Sequence, residues 1–214
     1  MNQNQKIRST IKELLVMQNV TNEGTISAIW RKKKLRWGLE IIAELGEAIE
    51  STPHKWWKNG KLDLENLKVE IIDMLHFSLS FDMTNNPIET ISHMVTEPTA
   101  DLDGFEQNRF EDLAEEVVIV LGKAFGGDDV LVTQSIINLA WGVGMDTNEI
   151  RTRYIAKNAL NLIRQQNGYK AGLYIKDWDG QEDNVWITNL IAKSPDLTFN
   201  DILNEAQAKF DTLD

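Results

Sequence analysis

Apolar residues recur at spacings of three and four through most of the chain, and strand-like alternation is scarce. That pattern predicts an all-α protein, a helical bundle. Helices are expected near 5–19, 27–51 with a break at Gly38, 61–83, 108–124, 129–144 and 147–166, with shorter ones at 185–193 and 199–211. Ser9 and Asp146-Thr147 are the candidate N-caps, and Gly60 and Gly168 the candidate helix-end residues. The polar stretch 84–107, which holds Pro87 and Pro98, reads as a loop or variable insertion. A second loop, 168–184, is rich in Gly, Tyr, Lys and Asp. The length of 214 residues suits one domain over the whole chain.

Against this pattern some acidic positions stand out. On a helix turning ~100° per residue, Glu40, Glu44 and Glu47 share a sector of about 60°, with Ile42, Leu45 and Ile49 opposite. Alone, that is an ordinary solvated face. The next helix carries Glu70 and Asp73 one turn apart, and Glu70 shares an apolar stripe with Met74, Phe77 and Phe81. A carboxylate there is costly unless it is paired or bound to metal, and no Lys or Arg lies on the stripe. Two neighbouring helices with E-x-x-E and E-x-x-D spacing can face one another and hold two or more magnesium ions. Such ions polarise phosphoryl oxygens and acidify an attacking water.

Composition narrows the chemistry. The absence of cysteine excludes disulfides, thiolate metal sites and a cysteine nucleophile, and three histidines argue against a His-rich zinc site. The net charge of −11 argues against a nucleic-acid binder. It leaves room for a small anionic substrate, because divalent ions invert the local field. The N-terminus lacks the apolar core of a secretory signal, and no apolar run approaches the ~20 residues of a membrane span. The expectation is a cytoplasmic protein.

Between the two acidic segments lies His54-Lys55-Trp56-Trp57-Lys58. Two adjacent tryptophans cannot both enter one helical core. One is expected to pack on the core and the other to cover something planar, as nucleobase-stacking tryptophans do. Lys55 and Lys58 could meet phosphates. His76 and Phe77 follow Asp73 and are expected near the metal end, His76 either bonding a base or a ligand carboxylate, or satisfied within the core. Tyr154, Lys157, Asn161 and Arg164 form a stripe within about 80° on a helix whose core face is Ile155, Ala159, Leu162 and Ile163. With Tyr169, Lys170 and Lys176 beyond, the stripe reads either as a solvated face or as a polyphosphate clamp. The Walker-type spacing G-x-x-x-x-G-K-[ST] is absent.

Three stretches, ELGEAIESTPHKWWK at 44–58, LENLKVEIIDMLHFSLS at 64–80 and YIAKNALNLIRQQNGYKAGLYIKDWDGQEDN at 154–184, resemble the dimeric, all-α dUTP diphosphatases of the MazG-like pyrophosphohydrolase superfamily. LLVMQNVTNEGT looks like a shortened form of that family's first motif. The resemblance implies that Glu44, Glu47, Glu70 and Asp73 ligate magnesium, with manganese as a substitute, and that Glu44 or Glu47 orients or deprotonates the attacking water. It implies a nucleoside site formed by Gln18, Asn22, Trp57, His76, Phe77 and Asn158. It assigns the phosphates to Lys58, Lys157, Asn161, Arg164, Tyr169 and Lys176. The implied reaction converts dUTP to dUMP and diphosphate, with dUDP also accepted, in a homodimer. A regulatory protein partner is a further implication, with 84–107 as the surface for it. The rival readings are a pyrophosphohydrolase for another nucleotide, such as dCTP, and a helical protein that only binds a regulator.

Overall fold

Helix α1 (Gln3–Thr25) begins at a capping box in which the Asn2 side chain accepts from the Gln5 N–H and the Gln5 side chain accepts from the Asn2 N–H. The computed structural model describes residues 2–98, 102, 104–194 and 196–213, and α1 starts almost at its first residue. Ser9 therefore lies inside the helix rather than at its cap. The expected helix 27–51 is divided: a 3-10 turn at Trp30–Lys32 and an extended link precede α2 (Trp37–Glu50). The division does not fall at Gly38. That glycine sits in the first turn of α2, where a Cβ would lie 2.4 Å from the Phe125 ring. Its role is close helix packing.

Helix α3 (Leu64–Met83) is capped by Asp63, which accepts from the Asn66 N–H at 3.0 Å. Gly60, expected to end a helix, instead lies in the α2–α3 link against Pro53. The stretch read as a loop contains helix α4 (Ile88–Met94), which follows Pro87 and buries Ile91. Seven residues are too few for a visible apolar period. Thr99, Ala100, Asp101 and Asp103 of that stretch lie outside the described residues. Helices α5 (Gln107–Gly126), α6 (Val132–Gly142), α7 (Thr147–Gln166), α8 (Asp183–Lys193) and α9 (Phe199–Phe210) follow. Asp146 caps α7 as expected, accepting from the Glu149 N–H at 2.8 Å. Gly168, just past α7, has φ +84°, as a helix-end glycine should. No strand is present among the described residues, and none of their helices is long and apolar enough to cross a membrane.

The chain divides into two compact units, Met1–Ile150 and Arg151–Asp214, with the boundary inside α7. In the first, α3 is central: α2 packs along it, α6 and α1 also meet it, and α5 packs on α6. Ile41, Leu45, Leu67, Ile71, Leu79, Val117 and Ile136 are buried there. The core face of α2 is Ile41, Leu45 and Ala48, so Ile42, placed on that face by the periodicity, is in fact 45% exposed. In the second unit Ile187, Ile191, Ile202 and Ala206 are buried. An aromatic group of Tyr174 stacked on Phe210 at 5.2 Å, Trp178 and Trp186 holds the loop 168–182.

Asp82, near the end of α3, is buried and accepts from the N–H groups of Val132 and Thr133 at 3.2 and 2.8 Å, so it caps α6 from outside. Burial nevertheless pushes its carboxyl up from an ordinary 3.8 to about 6, against the pull of those donors. Between those values the folded protein holds a proton that the unfolded chain has released, so Asp82 favours folding more at pH 4 than at pH 7. The difference in unfolding free energy between wild type and Asp82→Asn is expected to fall by on the order of 3 kcal/mol over that range. Urea unfolding of both proteins at each pH measures it; a difference flat with pH would contradict the burial effect.

Candidate active site

The link from α2 to α3 determines which acids meet. The Asp63 N–H donates to the Ser51 carbonyl at 2.8 Å and the Asn66 amide to the Ser51 hydroxyl at 2.8 Å, so the last turn of α2 lies beside the first of α3. Counting back along α2 and forward along α3 from that junction sets Glu44 and Glu47 opposite Glu70. Ligand oxygens of Glu44, Glu47 and Glu70 all lie within 4.8 Å of one another. Glu70 is 8% exposed, Glu44 half-buried and Glu47 exposed. Asp73 stands one turn further along α3, half-buried. Glu47 also borders an open cleft of about 450 Å³ lined by Gly46, Ser51, Asp63 and Asn66. An oxygen-only set of converging carboxylates suits a hard divalent cation and no soft one.

The link itself is arranged differently from expectation. Neither tryptophan packs on the core: Trp56 is 89% and Trp57 65% exposed, and the rings meet edge-on at 5.4 Å. Lys55 is drawn back to Glu50 at 2.7 Å, and its hydrogen bond holds the Glu50 carboxyl below its usual range. Lys58 is exposed beside Trp57.

Further along α3 lies a buried polar network. The stripe of α1 that enters the core runs Ile7, Ile11, Leu14, Leu15 and then turns to amides at Gln18 and Asn22. Gln18 donates to Asn22 at 3.0 Å, Asn22 donates to the Ser80 hydroxyl at 3.0 Å, and Ser80 donates to the His76 carbonyl at 3.0 Å. His76 is buried, with Nδ1 2.9 Å from the Ile72 carbonyl oxygen. Phe77, half-buried, meets Trp37 at 6.2 Å, and Trp37 meets Trp30 edge-on at 6.1 Å. Four of the six expected nucleoside residues, Gln18, Asn22, His76 and Phe77, thus belong to α1 and α3 of one unit. Ser80, a member of the network, was not foreseen. The switch from apolar to amide along one buried stripe was its legible signal.

In the second unit, Tyr154 and Lys157 are buried and Asn161 and Arg164 half-buried, so their stripe is not a solvated face. Burial raises the Tyr154 phenol well above its ordinary range, with a hydrogen bond to Asn158 in partial opposition. Arg164 donates to Asp183 through Nε at 2.9 Å and Nη2 at 2.7 Å. Lys157 donates to the Asn184 side chain at 3.0 Å. The Tyr169 ring lies 5.7 Å from Arg164 and 5.7 Å from Lys176. The turn Trp178–Gln181, with Asp179 and Gly180 both at positive φ, folds the loop back so that the Asp183 N–H donates to the Lys176 carbonyl at 2.9 Å. Four expected phosphate residues, Lys157, Arg164, Tyr169 and Lys176, are therefore gathered around Asp183 and Asn184, two residues to which the periodicity had given no role.

A family model described as dUTPase matches residues 10–169 of the chain. No curated protein matches it.

Three carboxylates this close suit a shared divalent cation, and a ligand bound only by the folded state stabilises it. Magnesium is expected to raise the urea midpoint of wild type and to raise that of Glu70→Gln less. An equal rise in both proteins would contradict a role for Glu70 in holding the ion.

Proposed function

The chain belongs to the dUTPase family and is a dUTP diphosphatase, and on that premise we propose a magnesium-dependent cleavage between the α- and β-phosphates. The products are dUMP and diphosphate, and dUDP is a second substrate that releases phosphate. The convergence of Glu44, Glu47 and Glu70 on one small volume supports the reading most directly. These three, with Asp73, would hold magnesium, or manganese in its place. When bound, the metal supplies charge neutralisation at the phosphoryl oxygens and a more acidic water.

The chain's own residues do the rest. Glu47, exposed at the edge of the cleft, orients the attacking water and accepts its proton, with Glu44 beside it. Gln18 and Asn22 offer amide donors and acceptors from a buried position, the chemistry needed to read the polar edge of uracil and to reject an analogue that leaves them unpaired. Phe77, His76, Trp57 and Asn158 complete the nucleoside contacts. Lys58, Lys157, Asn161, Arg164, Tyr169 and Lys176 take the phosphates, the cations offsetting charge on the departing diphosphate. We place this activity in a cytoplasmic homodimer, with the whole chain as its catalytic domain and with room for a regulatory partner.

Release of diphosphate from dUTP, dCTP, dTTP and UTP, and of phosphate from dUDP, tests the reading with magnesium and with excess chelator. dUTP is expected to turn over fastest and chelator to abolish turnover. Glu47→Gln is expected to lower kcat by on the order of 10²–10⁴ with the urea midpoint kept. Turnover in chelator, or wild-type kcat in that variant, would contradict it.

A further inference from the structure

We propose that Asp183 is a positioning residue for the diphosphate: its buried carboxylate fixes the orientation of Arg164 and, with Asn184, of Lys157. The inference rests on the reading above, in which those cations meet the phosphates.

Asp183 is 1% exposed and opens α8. Its oxygens accept from Arg164 Nε and Nη2, from the Tyr174 hydroxyl at 2.9 Å and from the Asn184 N–H at 2.8 Å. The Asn184 side chain accepts from Lys157 at 3.0 Å and from Arg164 Nη2 at 3.3 Å. One edge of the guanidinium is thus held by Asp183 and Asn184, while the Tyr169 ring lies 5.7 Å from its central carbon. A planar group held through Nε and Nη2 has its remaining nitrogen, Nη1, aimed by geometry alone, and that nitrogen is what a diphosphate oxygen would meet.

Stability gives little reason for this arrangement. A buried ion pair seldom adds net stability over a well-packed apolar pair, because both charges lose their water. What the acid supplies is direction. A free arginine loses most of its rotamer freedom when it grips a phosphate, and one already held has lost it beforehand. Asp183 also offsets one of the positive charges that Lys157, Arg164 and Lys176 bring to a small region. Tyr174 reinforces the acid: burial first, and the adjacent carboxylate second, push its phenol well above the ordinary range, so it stays a donor to Asp183.

Calorimetry of magnesium diphosphate binding to the full-length protein tests this without requiring turnover. Asp183→Asn is expected to weaken diphosphate binding on the order of 10²-fold, the scale set by misplacing a positioned group by about 1 Å, with dUMP binding unchanged. In an Arg164→Met background, where only the orientation of Lys157 through Asn184 is left, the same substitution should weaken diphosphate binding clearly less than in the wild-type background, because neighbouring groups acting through one another are not additive. If Asp183→Asn does not fold, Arg164→Lys serves instead: it keeps the charge, loses the fork, and should bind diphosphate as weakly. Wild-type affinity in either variant, equal weakening for dUMP, or an undiminished effect of Asp183→Asn without Arg164 would overturn the proposal. If the wild-type protein binds diphosphate in this Asp183-dependent way but does not hydrolyse dUTP, the functional reading fails and the positioning role stands.

Discussion

Everything in the first unit turns on bringing like charges together. Glu44, Glu47 and Glu70 lie within 4.8 Å of one another, one of them buried, and such a cluster is unfavourable until a cation joins it. The fold sustains it through the α2–α3 junction at Ser51, Asp63 and Asn66 and through the apolar face of Ile41, Leu45 and Ala48 against Leu67 and Ile71. The apolar packing of two long helices holds the acids in register.

The second unit inverts the problem. There a concentration of positive charge is organised by one buried acid, by Asn184, and by the Tyr169 ring that Arg164 and Lys176 share. The aromatic group of Tyr174, Trp178 and Phe210 brings the last helix, beyond the span matched to the family, into the support of that loop. The first unit thus carries carboxylates suited to a cation, and the second carries cations suited to an anion.

Much of this was legible in the sequence. The long helices followed from their period, and the acids from the cost of Glu70 on the stripe of Met74, Phe77 and Phe81. What escaped has particular causes. A single period cannot separate Ile41 from Ile42 when both are isoleucine and the helix starts ten residues later than its apolar pattern suggests. Helix α4 is too short to show a period at all. The burial of Tyr154 and Lys157 and the exposure of Trp56 and Trp57 depend on what packs against each surface, which one helix's pattern does not contain. Asp183 and Asn184 become meaningful only once the turn at Asp179-Gly180 returns the chain to Lys176, a contact that no linear spacing encodes.

The most direct test of the account is a manganese titration followed by electron paramagnetic resonance, on wild-type protein and on Glu44→Gln, Glu47→Gln and Glu70→Gln, each with a non-hydrolysable dUTP analogue. The account predicts that wild type depletes the free-ion signal through protein-bound sites and that each variant loses at least tenfold in affinity while remaining folded. Equal manganese uptake by wild type and all three variants would contradict it, because the carboxylates would then be close together for some reason other than metal.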